Sequence, residues 1–263
     1  MSLPTWRLIV SGAVPGAMNM ATDRAVLAAR ARGDTMPTLR LYTWEVPTVS
    51  LGRFQPVEQV DLSACARRGF DVVRRPTGGR GVLHDDEVTY SIVANTGDGV
   101  PRGVAASYRY LSSALAVAYR VLGVDAELTD RRRGPASAGA CYLHATQADL
   151  SLGAAKLSGS AQVWKDDAVL QHGSFVVERD VEAEGEVFSL DGVGLERLSQ
   201  TTATLATALG TAPTRDEIID AIARAVEDTF GVLLVPGALT SEESDAAAAF
   251  AADHIVWTAS REA

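Results

Sequence analysis

Apolar and polar positions along the chain fall into short alternating runs broken by Gly and Pro, with a few longer helical stretches between them. "WRLIVSG" (Trp6 to Gly12) reads as a short strand, and "GAMNMATDRAVLAARARG" (Gly16 to Gly33) as an Ala-rich helix stopped by Gly33. "TLRLYTW" (Thr38 to Trp44) and "TVSLGRFQ" (Thr48 to Gln55) predict strands either side of a Val-Pro break. "VDLSACARRG" (Val60 to Gly69) predicts a short helix with Cys65 on the face of Leu62. "FDVVRR" and "VLHDDEVTYSIVA" predict two strands joined by a loop at Gly78 and Gly79, which lack the Cβ that excludes positive φ.

"SYRYLSSALAVAYRVL" (Ser107 to Leu122) predicts a helix, and the small polar run Thr129 to Ala140 an exposed loop. From Cys141 to Glu178 the pattern predicts strands with tight turns at "LGAAK" and "KDDA". A helix over Thr214 to Gly231 has Asp216 and Glu217 at its start and Gly231 at its end, which suits the helix dipole, and "SEESDAAAAFAADHI" is a final helix. No repeat or low-complexity linker divides the chain, so residues 1–263 are expected to form one domain with a helical C-terminal segment from about 214. Hairpins and scattered helices without regular βαβ alternation predict an α+β fold, a largely antiparallel sheet with helices packed on it.

Composition narrows the classes. At 263 residues, 47% apolar and 22% charged, the chain can bury a substantial core. Its net charge of −9 argues against generic nucleic-acid binding. Two cysteines, Cys65 and Cys141, make neither a disulfide framework nor a four-ligand zinc site, and four scattered histidines argue no metal centre. With no signal-peptide pattern and no window near 20 apolar residues, a cytoplasmic protein without a membrane span is expected.

Cys141 opens a predicted strand and Lys156 follows a predicted hairpin, so pairing of the two strands would bring thiol and ammonium together. A nearby cation favours the thiolate, the nucleophilic form, whereas an unassisted cysteine of pKa about 8.5 is only about 3% thiolate at neutral pH. The plainer reading makes Cys141 a small buried hydrophobe, Lys156 a solvated surface residue, and Gly78 and Gly79 simple turn residues. His84, His144 and His172 fit core or edge positions, Cys65 a structural one, and Arg131 to Arg133 a solvated loop.

Three segments together are more specific than any of these. "RRPTGGRGVLHDDEVTYSIV" (Arg74 to Val93), "CYLHATQADLSLGAAKLSGSAQ" and "LQHGSFVV" resemble the lipoate/octanoate protein ligase and transferase family, within the biotin/lipoate A/B protein ligase superfamily. Supporting pieces are "WRLIVSGAVPGAMNMATD", "SLGRFQ" and "FGVLLVPGALTSEE". The resemblance implies a fold shared with biotin protein ligases and the class II aminoacyl-tRNA synthetase core. It also implies that Arg74, Arg75, Thr77, Gly78, Gly79 and His84 wall an acyl tunnel and that Lys156, before Ser158 and Gly159, lies at the acyl carbonyl. "TGGR", "ExTYS" and a cysteine fifteen positions before the lysine (156 − 141 = 15) are closest to LipM-type octanoyltransferases. ATP-dependent lipoate ligases usually carry a third glycine where this chain has Arg80, and often a further domain for which no length is expected after Ser241. Gly81 departs from the usual alanine, with a loosened strand as the expected consequence, and Arg24 from the usual acidic residue.

The resemblance thus implies an octanoyltransferase without cofactor or metal. Cys141 would take octanoyl from octanoyl-acyl carrier protein and a lysine of a lipoyl domain, in glycine cleavage H protein or a 2-oxoacid dehydrogenase E2, would receive it as an amide. Lys156 would hold the carbonyl. The proton acceptor is left open among the departing thiolate, His84 and neutral Lys156. Arg74, Arg75, Arg80 and Arg131 to Arg133 are expected to steer acidic partners, and a monomer is expected. The alternatives are an ATP-dependent lipoate ligase, an amidotransferase acting between lipoyl domains, and a non-catalytic acyl or biotinyl binding protein.

Overall fold

The computed structural model describes residues 2–128 and 149–259. Alternation places strand β1 at Thr5–Val14, and Pro15 starts helix α1 (Gly16–Arg32), which Gly33 ends in the left-handed conformation, φ 80°. There follow β2 (Thr38–Trp44), β3 (Thr48–Leu51), α2 (Leu62–Arg68), β4 (Asp71–Arg74), β5 (Val82–His84), β6 (Glu87–Asn95), α3 (Val104–Val121) and β7 (Glu127–Leu128). After the undescribed segment come β8 (Leu150–Leu152), β9 (Ala155–Ser158), β10 (Ser160–Lys165) and β11 (Ala168–Val176). The remainder is α4 (Val181–Val187), α5 (Gly192–Thr201), α6 (Leu205–Leu209), α7 (Arg215–Phe230), β12 (Leu233–Pro236), α8 (Ser241–His254) and β13 (Ile255–Trp257).

The main sheet has the order β10-β11-β6-β2-β1-β12. The pairs β10–β11, β11–β6 and β6–β2 are antiparallel. The pairs β2–β1 and β1–β12 are parallel, because α1 and the later helices carry the chain back across the sheet. The fold is α+β with a mixed, largely antiparallel sheet. A smaller sheet runs β13-β4-β3-β5, and β7, β8 and β9 form a third.

The pleat of β11 sorts its residues between two helical layers. Val169 and Phe175 point to the core shared with Leu111, Leu115 and Tyr119 of α3 and Ile218 and Ile222 of α7. Ala168 and Leu170 point to the opposite face, against Val26 and Leu27 of α1. Ala21, Ala25 and Ala247 join α1 to α8 through side chains that are all small. The three short helices α4 to α6 escape the sequence pattern, being too brief for a periodic stripe; each starts on a polar cap, Asp180, Asp191 or Thr204.

The C-terminal segment is fastened at two points. Arg7 on β1 makes a buried bidentate pair with Glu243 on α8, at 2.7 and 2.6 Å, and Arg7 Nε also donates to Thr38. At the far end of α8, His254 Nδ1 lies 2.6 Å from the carbonyl oxygen of Arg74, and β13 pairs with β4. The loop that follows β4 then folds back on the end of β3: Arg53 N–H donates to Thr77 O (2.8 Å) and Arg75 N–H to Leu51 O (2.9 Å). The crossing is close enough that a Cβ on Gly52 would lie 2.0 Å from the carbonyl oxygen of Gly79.

Three variants check these contacts by their stability. Arg7→Met leaves the Glu243 carboxylate buried without its partner and should lower unfolding free energy by roughly 3–5 kcal/mol in denaturant titration. Gly52→Ala should lower it by roughly 1–3 kcal/mol through forced separation of the two loops. Gly78→Ala, whose Cβ would enter open space, should stay within about 0.5 kcal/mol of wild type.

Candidate active site at strand β11

Lys156 lies on β9, next to a tight turn at Gly153 (φ +56°), and is only 3% exposed. Its Nζ pairs with Asp149 Oδ2 at 2.9 Å, and Asp149 is equally buried. The hydroxyl of Tyr108, on α3, has two acceptors for its proton, Ser160 O at 2.9 Å and Asp149 Oδ1 at 3.2 Å, and accepts the N–H of Ser160 (3.0 Å). Burial first, and the neighbouring Asp149 second, raise the Tyr108 phenol well above its ordinary value, so it serves as a neutral donor. The ammonium runs over Gly159, where a Cβ would stand 3.0 Å from Nζ. A glycine there leaves the path of the lysine open.

On the other side of β11 lies the Gly loop. Gly79 adopts φ +99°, and a Cβ there would meet the guanidinium of Arg75 at 2.7 Å. Arg75 donates to Ser50 O (2.9 Å), Ser50 Oγ (3.1 Å), Gly78 O (2.8 Å) and Arg80 O (2.7 Å). Arg74 donates to Gly52 O (2.8 Å) and Gln55 O (2.7 Å). Both guanidinia therefore hold backbone carbonyls of the loops. Arg75 is 5% exposed, so the expected steering surface does not include it: its charge is spent inside the fold.

His84 stacks on Trp44, with ring centroids 4.1 Å apart. Its Nδ1 is 2.8 Å from Glu87 Oε1 and its Nε2 2.8 Å from Ser50 Oγ. Burial alone would raise the Glu87 carboxyl, but His84 beside it and hydrogen bonds from His84, Thr89 and Ser174 hold it below the ordinary range. Thr77, fully buried, has its hydroxyl 2.7 Å from His172 Nε2. Ser158 donates to the carbonyl of Ser174 (2.9 Å), and the Ser174 hydroxyl donates to Glu87 (2.7 Å).

Thr77 and His84 from one stretch of sequence and Ser158 from another thus converge on His172 to Ser174 of one strand. Gly159 joins them, since its carbonyl oxygen would lie 2.6 Å from a Cβ on Gly173. Cys141, His144 and Arg131 to Arg133 lie outside the described residues. Cys65 is buried with its thiol pushed up to about 11 by burial and by nearby Asp61, in keeping with a structural role. At Gly81 a Cβ would stand 2.4 Å from the ring of Phe188, which fills the space. Residue-type reasoning missed Asp149, Glu87 and Asp23. The available signal was a carboxylate inside or at the edge of an element that must be buried, which requires a partner.

The family model described as the lipoyl protein ligase A/B catalytic domain matches residues 15–227. A protein from Kyrpidia tusciae named octanoyltransferase LipM is 40% identical over 260 residues, 93% of this chain and 94% of that one. Another of that name, from Symbiobacterium thermophilum, is 40% identical over 250 residues, 90% of this chain and 91% of its own. Among solved structures, a lipoate-protein ligase A bound with ATP superposes with a TM-score of 0.79 at 24% identity, covering 96% of this chain and 95% of the other. A bi-partite lipoate protein ligase from Thermoplasma acidophilum gives 0.77 at 23%, covering 95% and 92%. These two likenesses establish the fold. With the family model spanning most of the chain and the relatives aligned along nearly all of it, the chain belongs to the lipoyl protein ligase A/B catalytic domain family.

Proposed function

We propose that this chain is an acyltransferase of lipoate biosynthesis that moves octanoyl groups onto lipoyl-domain proteins, acting as one catalytic domain. The observation that carries the reading is the 40% identity, over 93% of the chain, to a protein named octanoyltransferase. Among the described residues no helix is long and apolar enough to cross a membrane.

In the proposed reaction the Cys141 thiolate attacks the thioester carbonyl of octanoyl-acyl carrier protein and expels the carrier thiolate, leaving an S-octanoyl enzyme. The amine of the acceptor lysine then attacks that thioester, the C–S bond breaks, and an amide forms. Thioester exchange is nearly balanced and amide formation runs downhill, so neither step needs ATP. Lys156, fixed in place by Asp149, supplies a positive charge where the carbonyl oxygen becomes negative. As one half of a buried salt bridge, it serves as an electrostatic group and not as a base.

Incubation with octanoyl-acyl carrier protein followed by intact mass should show one octanoyl adduct, labile to hydroxylamine and absent in Cys141→Ala. Full transfer by Cys141→Ala would refute the covalent route. ATP-dependent pyrophosphate release with free lipoate would point instead to a ligase. Lys156→Met should lower kcat for transfer by roughly 10²–10³, the scale for removing one preorganised charge-stabilising donor. Asp149→Asn should lower it in the same direction in the same assay, because the ammonium loses its fixed position.

A further inference from the structure

Thr77 is where the side chains of the Gly loop enter the core. Behind its hydroxyl, His172 Nδ1 lies 3.0 Å from Asp23 Oδ2 on α1. Asp23 also receives Arg40 (3.0 Å) and the Tyr42 hydroxyl (3.1 Å), and Arg40 reaches Asn19 at 2.6 Å. All of these residues are buried. Burial would raise the Asp23 carboxyl, yet the His172 N–H and the Arg40 guanidinium hold it below the ordinary range. Burial lowers His172 despite the neighbouring carboxylate.

The proton positions follow from the partners. A carboxylate only accepts, so His172 Nδ1 carries the proton and donates it to Asp23. Nε2 is then an acceptor, and the Thr77 hydroxyl must donate inward. The relay is therefore directional, from loop to helix. Replacing such buried polar groups with apolar ones of similar shape is often neutral or stabilising, so cohesion alone does not call for them. What they add is one fixed rotamer and one fixed distance. They add it directly before Gly78 and Gly79, the two residues with the most backbone freedom in the loop.

We infer that Asp23 and His172 are positioning residues for acyl transfer, acting through the Thr77 hydroxyl to fix the Gly78–Gly79 turn against β11. This rests on the acyltransferase reading above. The Arg53 and Arg75 amides, bonded across the loop to Thr77 O and Leu51 O, report the same geometry without any reaction.

The test compares variants that keep or lose the hydroxyl-to-ring bond. Thr77→Val keeps shape and loses the donor; Thr77→Ser keeps the donor. His172→Asn keeps an atom near the Nδ1 position and loses the acceptor for Thr77; His172→Gln keeps that acceptor. Thr77→Val and His172→Asn should speed hydrogen exchange at the Arg53 and Arg75 amides by roughly tenfold, the effect of one lost buried hydrogen bond, while β6 amides keep their protection. The same two variants should raise KM for the octanoyl donor more than they lower kcat, the Ser variant should remain near wild type, and the Gln variant, which keeps the acceptor for Thr77 but loses the bond to Asp23, should fall between. Wild-type exchange in Thr77→Val and His172→Asn, or His172→Gln as impaired as His172→Asn, would overturn the inference. A wild type with no octanoyl transfer would instead count against the functional reading, and the exchange comparison would still decide the loop coupling.

Discussion

A lysine that is 3% exposed can keep a charge only if a carboxylate stands beside it, and Asp149 does so at 2.9 Å. That one requirement shapes this end of the molecule. The β8–β9 hairpin must set Asp149 and Lys156 on the same side, and α3 must deliver Tyr108 to the second carboxylate oxygen. At residue 159 a Cβ would stand 3.0 Å from the ammonium, which would have to give way by a few tenths of an ångström. The same electrostatic rule governs the opposite face of the sheet, where Glu87 meets His84 and Asp23 meets Arg40 and His172. Breaking any of these pairs leaves an uncompensated buried charge, which makes the site stiff.

Strand β11 is the common wall. Its even positions present His172 and Ser174 to α1 and the Gly loop, and its odd positions present Gln171 and Gly173 towards α3 and β10. Gln171 donates to Tyr90 and Ser112 on that side, and Tyr90 is 2.5 Å from Ser160. A single strand therefore joins the lysine side of the site to the loop side through its own pleat. Glycines mark the places where backbones cross: Gly52 under Gly79, and Gly173 under Gly159.

Much of the fold was legible because strands read as short apolar runs between turn residues and helices as longer runs between start and stop signals. Helices α3 and α7 carry an apolar stripe, α1 and α8 were legible as Ala-rich runs, and β2, β6 and β11 are buried on both faces. The parallel pairing of β1 with β2 was not legible, since alternation says nothing of direction. For the site, Thr77, Gly79, His84 and Ser158 announced themselves through loop chemistry and family likeness. Glu87 stood in the "ExTYS" motif without a role assigned to it, and Asp23 and Asp149 gave no signal, because a carboxylate is read as solvated until the element that buries it is known. Arg74 and Arg75 show the converse. Their charge suggested a partner surface, whereas their donors are turned onto carbonyls of neighbouring loops.

The geometry also bears on the proton that the acceptor lysine must lose. At neutral pH such an amine, with a pKa of about 10.4, is protonated in all but a fraction of order 10⁻³ to 10⁻⁴. Lys156 is committed to Asp149, and both ring nitrogens of His84 are engaged by Ser50 and Glu87 beneath the stacked indole of Trp44. Of the three acceptors open at the level of sequence, two are thereby occupied. The third, the Cys141 thiolate of the proposed reaction, forms only when the tetrahedral adduct collapses, so the ammonium's first proton leaves to solvent before attack and the thiolate takes the second, on the nitrogen that has bonded to the carbonyl. Collapse leaves an N-protonated amide, a far stronger acid than a thiol of pKa about 8.5, so that transfer is downhill. In the proposed reaction the leaving group therefore removes the proton that its own departure makes acidic, and the buried carboxylate–cation pairs keep their charges throughout.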